Sequence, residues 1–257
     1  MGTVRIIMLL LLCIVTTQIA LSEPILVPSP DKYTREAALK FEKTSATVLA
    51  PAYDPLAGWI VSKFDLAEKE GIGIDLGGGP GTLIICLCKR TQRIHWINAD
   101  INPHYFPLFF KAAKEVGVEG RISAVFADAQ AMPFRDNYAD IIVSRGSFQF
   151  WKDKRLGFSE VYRVLKPGGV AFIGRGFSEN LAVETAREVR EKHRKGGKVP
   201  KYDVPETEQE LRGIMKALDI EEYTIHIPKP PDGDDVNYGI WLEFHKGAEV
   251  SPAQSQH

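Results

Sequence analysis

Short β-rich runs alternate with longer runs of helical periodicity from Gly71 to Gly174, and this alternation limits the chain to very few architectures. Strands are expected over Ile72–Leu76, Ile94–Ala99, Arg121–Ala127, Ala139–Ser144 and Val170–Gly174, with helices over Leu83–Arg90, Pro103–Val116 and Leu156–Leu165 between them. Strand and helix alternating at this spacing build a parallel sheet with helices on both faces. Beyond it come a helix around Leu181–His193, a Gly-, Lys- and Pro-rich loop from Lys195 to Pro205, and a helix over Glu206–Leu218. The last two strands, Glu222–Ile227 and Tyr238–Phe244, flank the turn-rich run Pro228–Asp235, the pattern of an antiparallel pair at a sheet edge. The expected fold is α/β, a doubly wound seven-stranded sheet, mostly parallel with an antiparallel C-terminal strand.

Ahead of the sheet, Asp31 to Lys69 shows two helical patterns broken at Ala50-Pro51 and Asp54-Pro55, with Leu56, Trp59, Ile60 and Phe64 at helix spacing. An N-terminal helical cap is therefore expected over 23–70, the sheet domain over 71–246 and a frayed, flexible tail over 247–257. Residues 1–22 are different in kind: Arg5 precedes the apolar run Ile6–Val15, and small residues Ala20 and Ser22 follow. This order predicts a secretory signal peptide cut between Ser22 and Glu23. An uncleaved membrane anchor is the alternative, although the run is shorter than the ~20 apolar residues that span a bilayer. The domain is expected to be exported or anchored, with membrane contact through this segment alone.

The 257 residues carry 32 Lys and Arg against 33 Asp and Glu, a net charge of −1. That balance offers no footprint for a phosphate backbone, so small molecules are the expected partners and nucleic acid is not. Cys13, Cys86 and Cys88 cannot form a disulfide framework, and the six histidines show no metal-ligand spacing, so no metal is expected.

The chemistry begins at the end of the first strand, in Asp75-Leu76-Gly77-Gly78-Gly79-Pro80-Gly81. Glycines there permit a tight turn and let a ligand lie against bare backbone at the carboxyl edge of the sheet. A dinucleotide fingerprint that starts at Gly77 wants Gly or Ala at its sixth position, where this chain has Thr82. The second strand ends at Asp100, which can accept both hydroxyls of a ribose or, equally, cap the helix entered at Pro103, a role open to Asn102 as well. The third runs into Asp128-Ala129, where a carboxylate and an amide could frame an adenine.

Taken together, these motifs resemble the class I methyltransferases that use S-adenosylmethionine. The resemblance covers residues 70 to 177. It includes the glycine loop, Asp100, Asp128 with Met132-Pro133-Phe134, Asp136 to Asp140, and the run Glu160-Val161-Tyr162-Arg163-Val164-Leu165-Lys166-Pro167-Gly168-Gly169. It implies a Rossmann-like fold, S-adenosylmethionine as cofactor and a small-molecule methyl acceptor. By resemblance, Gly77, Gly79 and Gly81 hold the methionine end, Asp100 the ribose, Ile101 the adenine face, and Asp128 with Ala129 the adenine edge. Asp75 at the end of the first strand and Ser144 at the end of the fourth join this cofactor-binding set. Lys166 to Gly169 reads as a helix stop and turn into the fifth strand.

Ser144-Arg145-Gly146-Ser147 followed by Phe148, Phe150 and Trp151 resembles one subgroup of these enzymes, from which the chain departs at Lys152 and Arg175. Arg145 is a candidate catalytic residue, able to pair with an acceptor carboxylate, with the cofactor's own, or with a structural acid. His104 is the candidate base for a hydroxyl or amine acceptor, and Tyr33 and Tyr53 are candidate lid residues. The Asn-Pro-Pro-Tyr signature of amide and adenine methylation is absent. Against catalysis stands a second reading, a module that binds S-adenosylmethionine or another nucleoside without turning it over, or an exported relic of the fold.

Overall fold

A computed structural model describes residues 33–195, 203–230 and 233–247. The signal peptide expected over 1–22, the first part of the expected cap, and residues 248–257 of the expected tail lie outside the described residues. No helix among the described residues is long and apolar enough to cross a membrane.

The cap is one helical run and not two broken pieces. Helix α1 (Arg35–Thr44) starts at Thr34, whose Oγ1 accepts the Ala37 amide at 3.1 Å, and passes through a π-helical turn (Ser45–Leu49) into α2 (Ala50–Lys63). The wider turn just ahead of Pro51 makes room where a proline ring would crowd the preceding carbonyls. Pro55 sits inside α2, which continues past it because Leu56, Trp59 and Ile60 are buried against the sheet. Trp59 meets Phe172 edge-on at 5.0 Å and Trp241 at 5.9 Å.

The sheet contains β1 (Glu70–Leu76), β2 (Arg93–Asp100), β3 (Ile122–Phe126), β4 (Ala139–Arg145), β5 (Leu165–Gly176), β6 (Tyr223–His226) and β7 (Gly239–His245), in the order β3-β2-β1-β4-β5-β7-β6. Strand β7 runs antiparallel to both neighbours and is wedged between β5 and β6. The reversed strand is thus internal, and β6 forms the edge. Around the sheet lie α3 (Thr82–Cys88), α4 (Phe106–Glu115), α5 (Lys154–Val164), α6 (Val183–Lys195) and α7 (Val204–Ala217). One face packs against α2, α3, α4 and α6, and the other against α5 and α7, so this is the doubly wound Rossmann-like arrangement.

Fifth-strand pairing begins earlier than expected. Leu165 already pairs with Ala139, and the Pro167–Gly169 turn is spliced into the strand, with a register shift between Ala139 and Ile141 on β4. Gly168, at φ +77°, donates its amide to Lys246 O at 2.7 Å, while Gly169 O accepts the Lys246 amide at 3.0 Å. Because β2 and β3 lie on one side of β1 and β4 lies on the other, the crevice of the sheet opens between the carboxyl ends of β1 and β4.

Gly81 has a packing role at this crevice. Its φ is +75°, and a Cβ there would stand 2.0 Å from Cδ2 of Phe109 on α4. Gly81→Ala is expected to cost about 2–4 kcal/mol in urea unfolding, from left-handed backbone strain plus overpacking. Adding Phe109→Leu should recover part of it. An unchanged midpoint in the single variant would show that the two helices can part freely.

Candidate functional site

The carboxyl ends of β1, β2 and β4 open into a cavity of about 580 Å³, with Phe41 of α1 and Tyr53 of α2 lining it from the cap. The glycine loop after β1 is fixed from β2. Gly77 donates its amide to Ala99 O at 2.7 Å. Gly79 donates its amide to Asp100 Oδ2 at 2.8 Å and accepts from Asn98 Nδ2 at 2.8 Å, so both polar groups of one glycine are held by side chains. Gly77 and Gly79 have φ of +73° and +55°, the left-handed region that only glycine enters at little cost.

Asp100 is 6% exposed, and its other oxygen, Oδ1, accepts the Asn102 amide at 2.8 Å. Each oxygen therefore takes one backbone donor and keeps acceptor capacity toward the cavity. Helix capping falls to Asn102, whose Oδ1 accepts the His104 amide at 3.2 Å. Asp75 is 2% exposed, and its Oδ1 has no hydrogen-bond partner among the described residues. Burial, then the Asp100 charge, opposed by Arg145, pushes its carboxyl up to about 8. Burial also raises Asp100, against the amides that stabilise its charge.

Asp128 and Ala129 line the same cavity, with Ile101 from the end of β2. Asp128 Oδ1 accepts the Gln130 amide at 2.9 Å. The loop that follows is held by two residues of α5: Glu160 Oε2 accepts the Met132 amide at 2.8 Å, and Arg163 donates to Met132 O, Phe134 O and Asp136 Oδ1. The Glu160–Gly169 run thus fixes the loop beyond Asp128 as well as the turn into β5.

Arg145 is half-buried and lines the cavity, its guanidinium carbon 4.8 Å from the centroid of the Tyr53 ring and its Nε donating to Gly176 O at 3.3 Å. Phe150, 70% exposed, and Trp151 stand at the same mouth with Lys152. Three sequence candidates do not line the cavity. Gly81 caps α3 and faces Phe109 of α4, and Ser144 is buried with its Oγ 2.6 Å from Ser147 Oγ, which donates in turn to Leu76 O at 3.0 Å. His104 is exposed and outside the cavity. In the 3₁₀ turn Pro103–Tyr105 successive side chains diverge by about 120°. That turn sends Tyr105 inward and His104 to solvent.

Sequence reasoning gave no role to Tyr105 or Asn98, and named Ser147 only within the Ser144–Ser147 run. Asn98 did leave a signal, a polar residue between the apolar Ile97 and Ala99 of a central strand. Tyr33 and Tyr53 do line the cavity. Among the described residues no group of His, Cys, Asp and Glu side chains is arranged to hold a metal ion.

S-Adenosylmethionine fits this donor set. Its ammonium would give Asp75 Oδ1 the donor that the protein withholds, and its ribose diol would meet the remaining capacity of Asp100. The glycine loop offers backbone with no Cβ in the way.

Comparison with known proteins agrees. Residues 74–173 match a family described as a methyltransferase domain. Over 107 residues the chain is 37% identical to spinach chloroplast 2-methyl-6-phytyl-1,4-hydroquinone methyltransferase, covering 42% of this chain and 30% of that one. Over 97 residues it is 33% identical to a ubiquinone/menaquinone biosynthesis C-methyltransferase of Psychromonas ingrahamii, covering 37% of this chain and 39% of that one. The matches therefore span about a third of these relatives' lengths. A solved structure from Methanococcus maripaludis, provisionally assigned as an S-adenosyl-L-methionine-dependent methyltransferase, superposes with a TM-score of 0.74 at 28% identity, covering 88% of this chain and all of that one.

The raised Asp75 carboxyl makes unliganded stability depend on pH. Its folded value of about 8 lies above the ordinary aspartate value of 3.8, so the folded state holds the proton more tightly. This contribution is fully present below 3.8, declines as pH rises through the interval, and is gone above about 8. Asp75→Asn should flatten the decline in urea midpoints between pH 4 and pH 8. A variant with the wild-type pH profile would show that Asp75 ionises normally.

Proposed function

From a chain whose residues 74–173 form a methyltransferase domain of the class I, S-adenosylmethionine-dependent type, we propose an enzyme that transfers that cofactor's methyl group to a small-molecule acceptor with an aromatic or apolar body. The observation that carries this reading is the convergence of Asp75, Asp100 and Asp128, from the ends of three successive strands, on one cavity with the glycine loop. The acceptor's character is supported by Tyr53, Phe150 and Trp151 at the other half of that cavity, and by two relatives, one named as a hydroquinone methyltransferase and one as a C-methyltransferase of ubiquinone/menaquinone biosynthesis.

The cofactor supplies an electrophilic methyl group on a good leaving group, which leaves approach and water exclusion to the protein. Asp75 would hold the ammonium, Asp100 the ribose, and Asp128 with Ala129 the adenine. Tyr53 and Phe41 shield the cavity from the cap side, and Arg145 and Phe150 present the acceptor from β4. With His104 outside the cavity, no histidine among the described residues lines it, so soft or already ionised nucleophiles suit it best.

Asp100→Ala should weaken S-adenosylhomocysteine binding by ~1.5–3 kcal/mol, tenfold to about a hundredfold, the worth of hydrogen bonds to a charged group. Calorimetry on the folded variant reads this directly, and an unchanged affinity would confine Asp100 to holding Gly79. Turnover is tested by S-adenosylhomocysteine release with a panel of thiols, phenols and amines. Binding without release from any of them favours the non-catalytic module.

Residues 1–22 support export of the domain, since Arg5 precedes the apolar run and Glu23 follows it before any later Lys or Arg. An alkaline phosphatase fused after His257 should be active in intact cells. An inactive phosphatase, with fluorescence from a reporter that matures only inside, would place the domain in the cytosol.

A further inference from the structure

The cavity is electrically divided along the crevice. Its acids, Asp75, Asp100 and Asp128, belong to the β1–β3 half, whereas the cations that line it, Arg145 and Lys152, belong to the segment that ends and follows β4. Arg145 has no acidic partner within salt-bridge distance among the described residues, and the hydrogen bond it makes there goes from Nε to Gly176 O. Its charged plane is held on the Tyr53 ring instead. A guanidinium is a planar fork with five donors, so Nε pinned to a carbonyl and one face on a ring still leave the two terminal nitrogens to bind.

The tether also gives the side chain a direction. Gly176 closes β5, so the Nε end of Arg145 is tied to β5, while its charge still reaches Asp75 across the crevice. Further positive charge gathers on that side. The half-buried His193 of α6 titrates below its ordinary value, through burial and then the charges of Arg145, Arg190 and Arg175. Phe150 adds an exposed aromatic face at the mouth.

We infer that Arg145, seated on Tyr53 and tethered to Gly176, is the anion anchor of the acceptor site, so that the acceptor is an acid, an aromatic or apolar body bearing a carboxylate. The inference rests on the proposed methyl transfer for the cofactor's place in the β1–β3 half. Arg145 is here a binding residue that orients the acceptor, and the competing source of the same chemistry is the cofactor's own carboxylate.

The test uses the chain saturated with S-adenosylhomocysteine and titrated calorimetrically with 4-hydroxybenzoate and, separately, with its neutral counterpart 4-hydroxybenzamide. The acid should bind at least tenfold more tightly than the amide. Arg145→Gln should abolish that difference and Arg145→Lys retain part of it, while S-adenosylhomocysteine affinity stays within twofold in both. Retained affinity for the homocysteine product also shows that the variants are folded. No preference for the acid in the wild type, or no binding of it, overturns the inference. So does a tenfold loss of S-adenosylhomocysteine affinity in Arg145→Gln, which would assign the anchor to the cofactor. Failure of the unsubstituted chain to bind S-adenosylhomocysteine at all defeats the methyltransferase reading itself, a result distinct from the others.

Discussion

The grip of β2 on Gly79 is the interaction on which the site depends. A glycine-rich turn has many conformations open to it, and the entropy that makes glycine permissive also makes an untethered loop a poor ligand cradle. Asn98 and Asp100 remove that freedom by holding the carbonyl and the amide of the same residue. They can do so only because β1 and β2 pair in parallel register, with Asp75 opposite Asn98 and Leu76 opposite Ala99. A shift of one residue would turn Asn98 to the other face of the sheet and release the loop. Sheet register and the conformation of the glycine loop are thus one structural fact.

This coupling explains what could be read from the sequence. Strand–helix alternation exposed the sheet, and acids at the ends of successive strands stood out because they follow apolar runs. The turn chemistry of Gly77 to Gly81 was legible for the same reason. Contacts that join distant segments left no local trace. Tyr105 lines the cavity, and His104 does not, through the phase of a three-residue 3₁₀ turn, which a helical pattern drawn straight from Pro103 to Val116 places incorrectly. The prolines of the cap read as breaks because local rules forbid them inside helices, yet burial of α2 on Phe172 and Trp241 outweighs that cost. Glu160 and Arg163 were visible as part of a family run, but nothing local says that they clamp the loop beyond Asp128.

Arg163 shows how the fold adds rigidity near the cavity without occupying it. Its guanidinium reaches two carbonyls and two carboxylates, those of Glu160 and Asp136, in a partly exposed position. Single exposed ion pairs contribute little, but a fork whose donors are committed to several acceptors orders a loop at the entropic cost of one side chain. The loop from Met132 to Asp136 has no strand partner, so these bonds stand in for one.

Asp75 and Asp100 impose the opposite kind of constraint. Neighbouring buried carboxylates cannot both ionise cheaply, and burial and the Asp100 charge keep a proton on Asp75 near neutrality. A ligand that brings an ammonium group removes the reason for that proton, so binding and deprotonation of Asp75 are linked by necessity. Neutral ligands of similar shape gain nothing from this exchange. The site therefore selects for positive charge on the β1 side through an electrostatic deficit built into the empty fold. On the β4 side, Arg145, pinned by its Nε and supported by an aromatic ring, carries a deficit of the other sign. A doubly wound chain places these two ends of the crevice on either side of its switch point, so that acids line one half of one small cavity and cations the other.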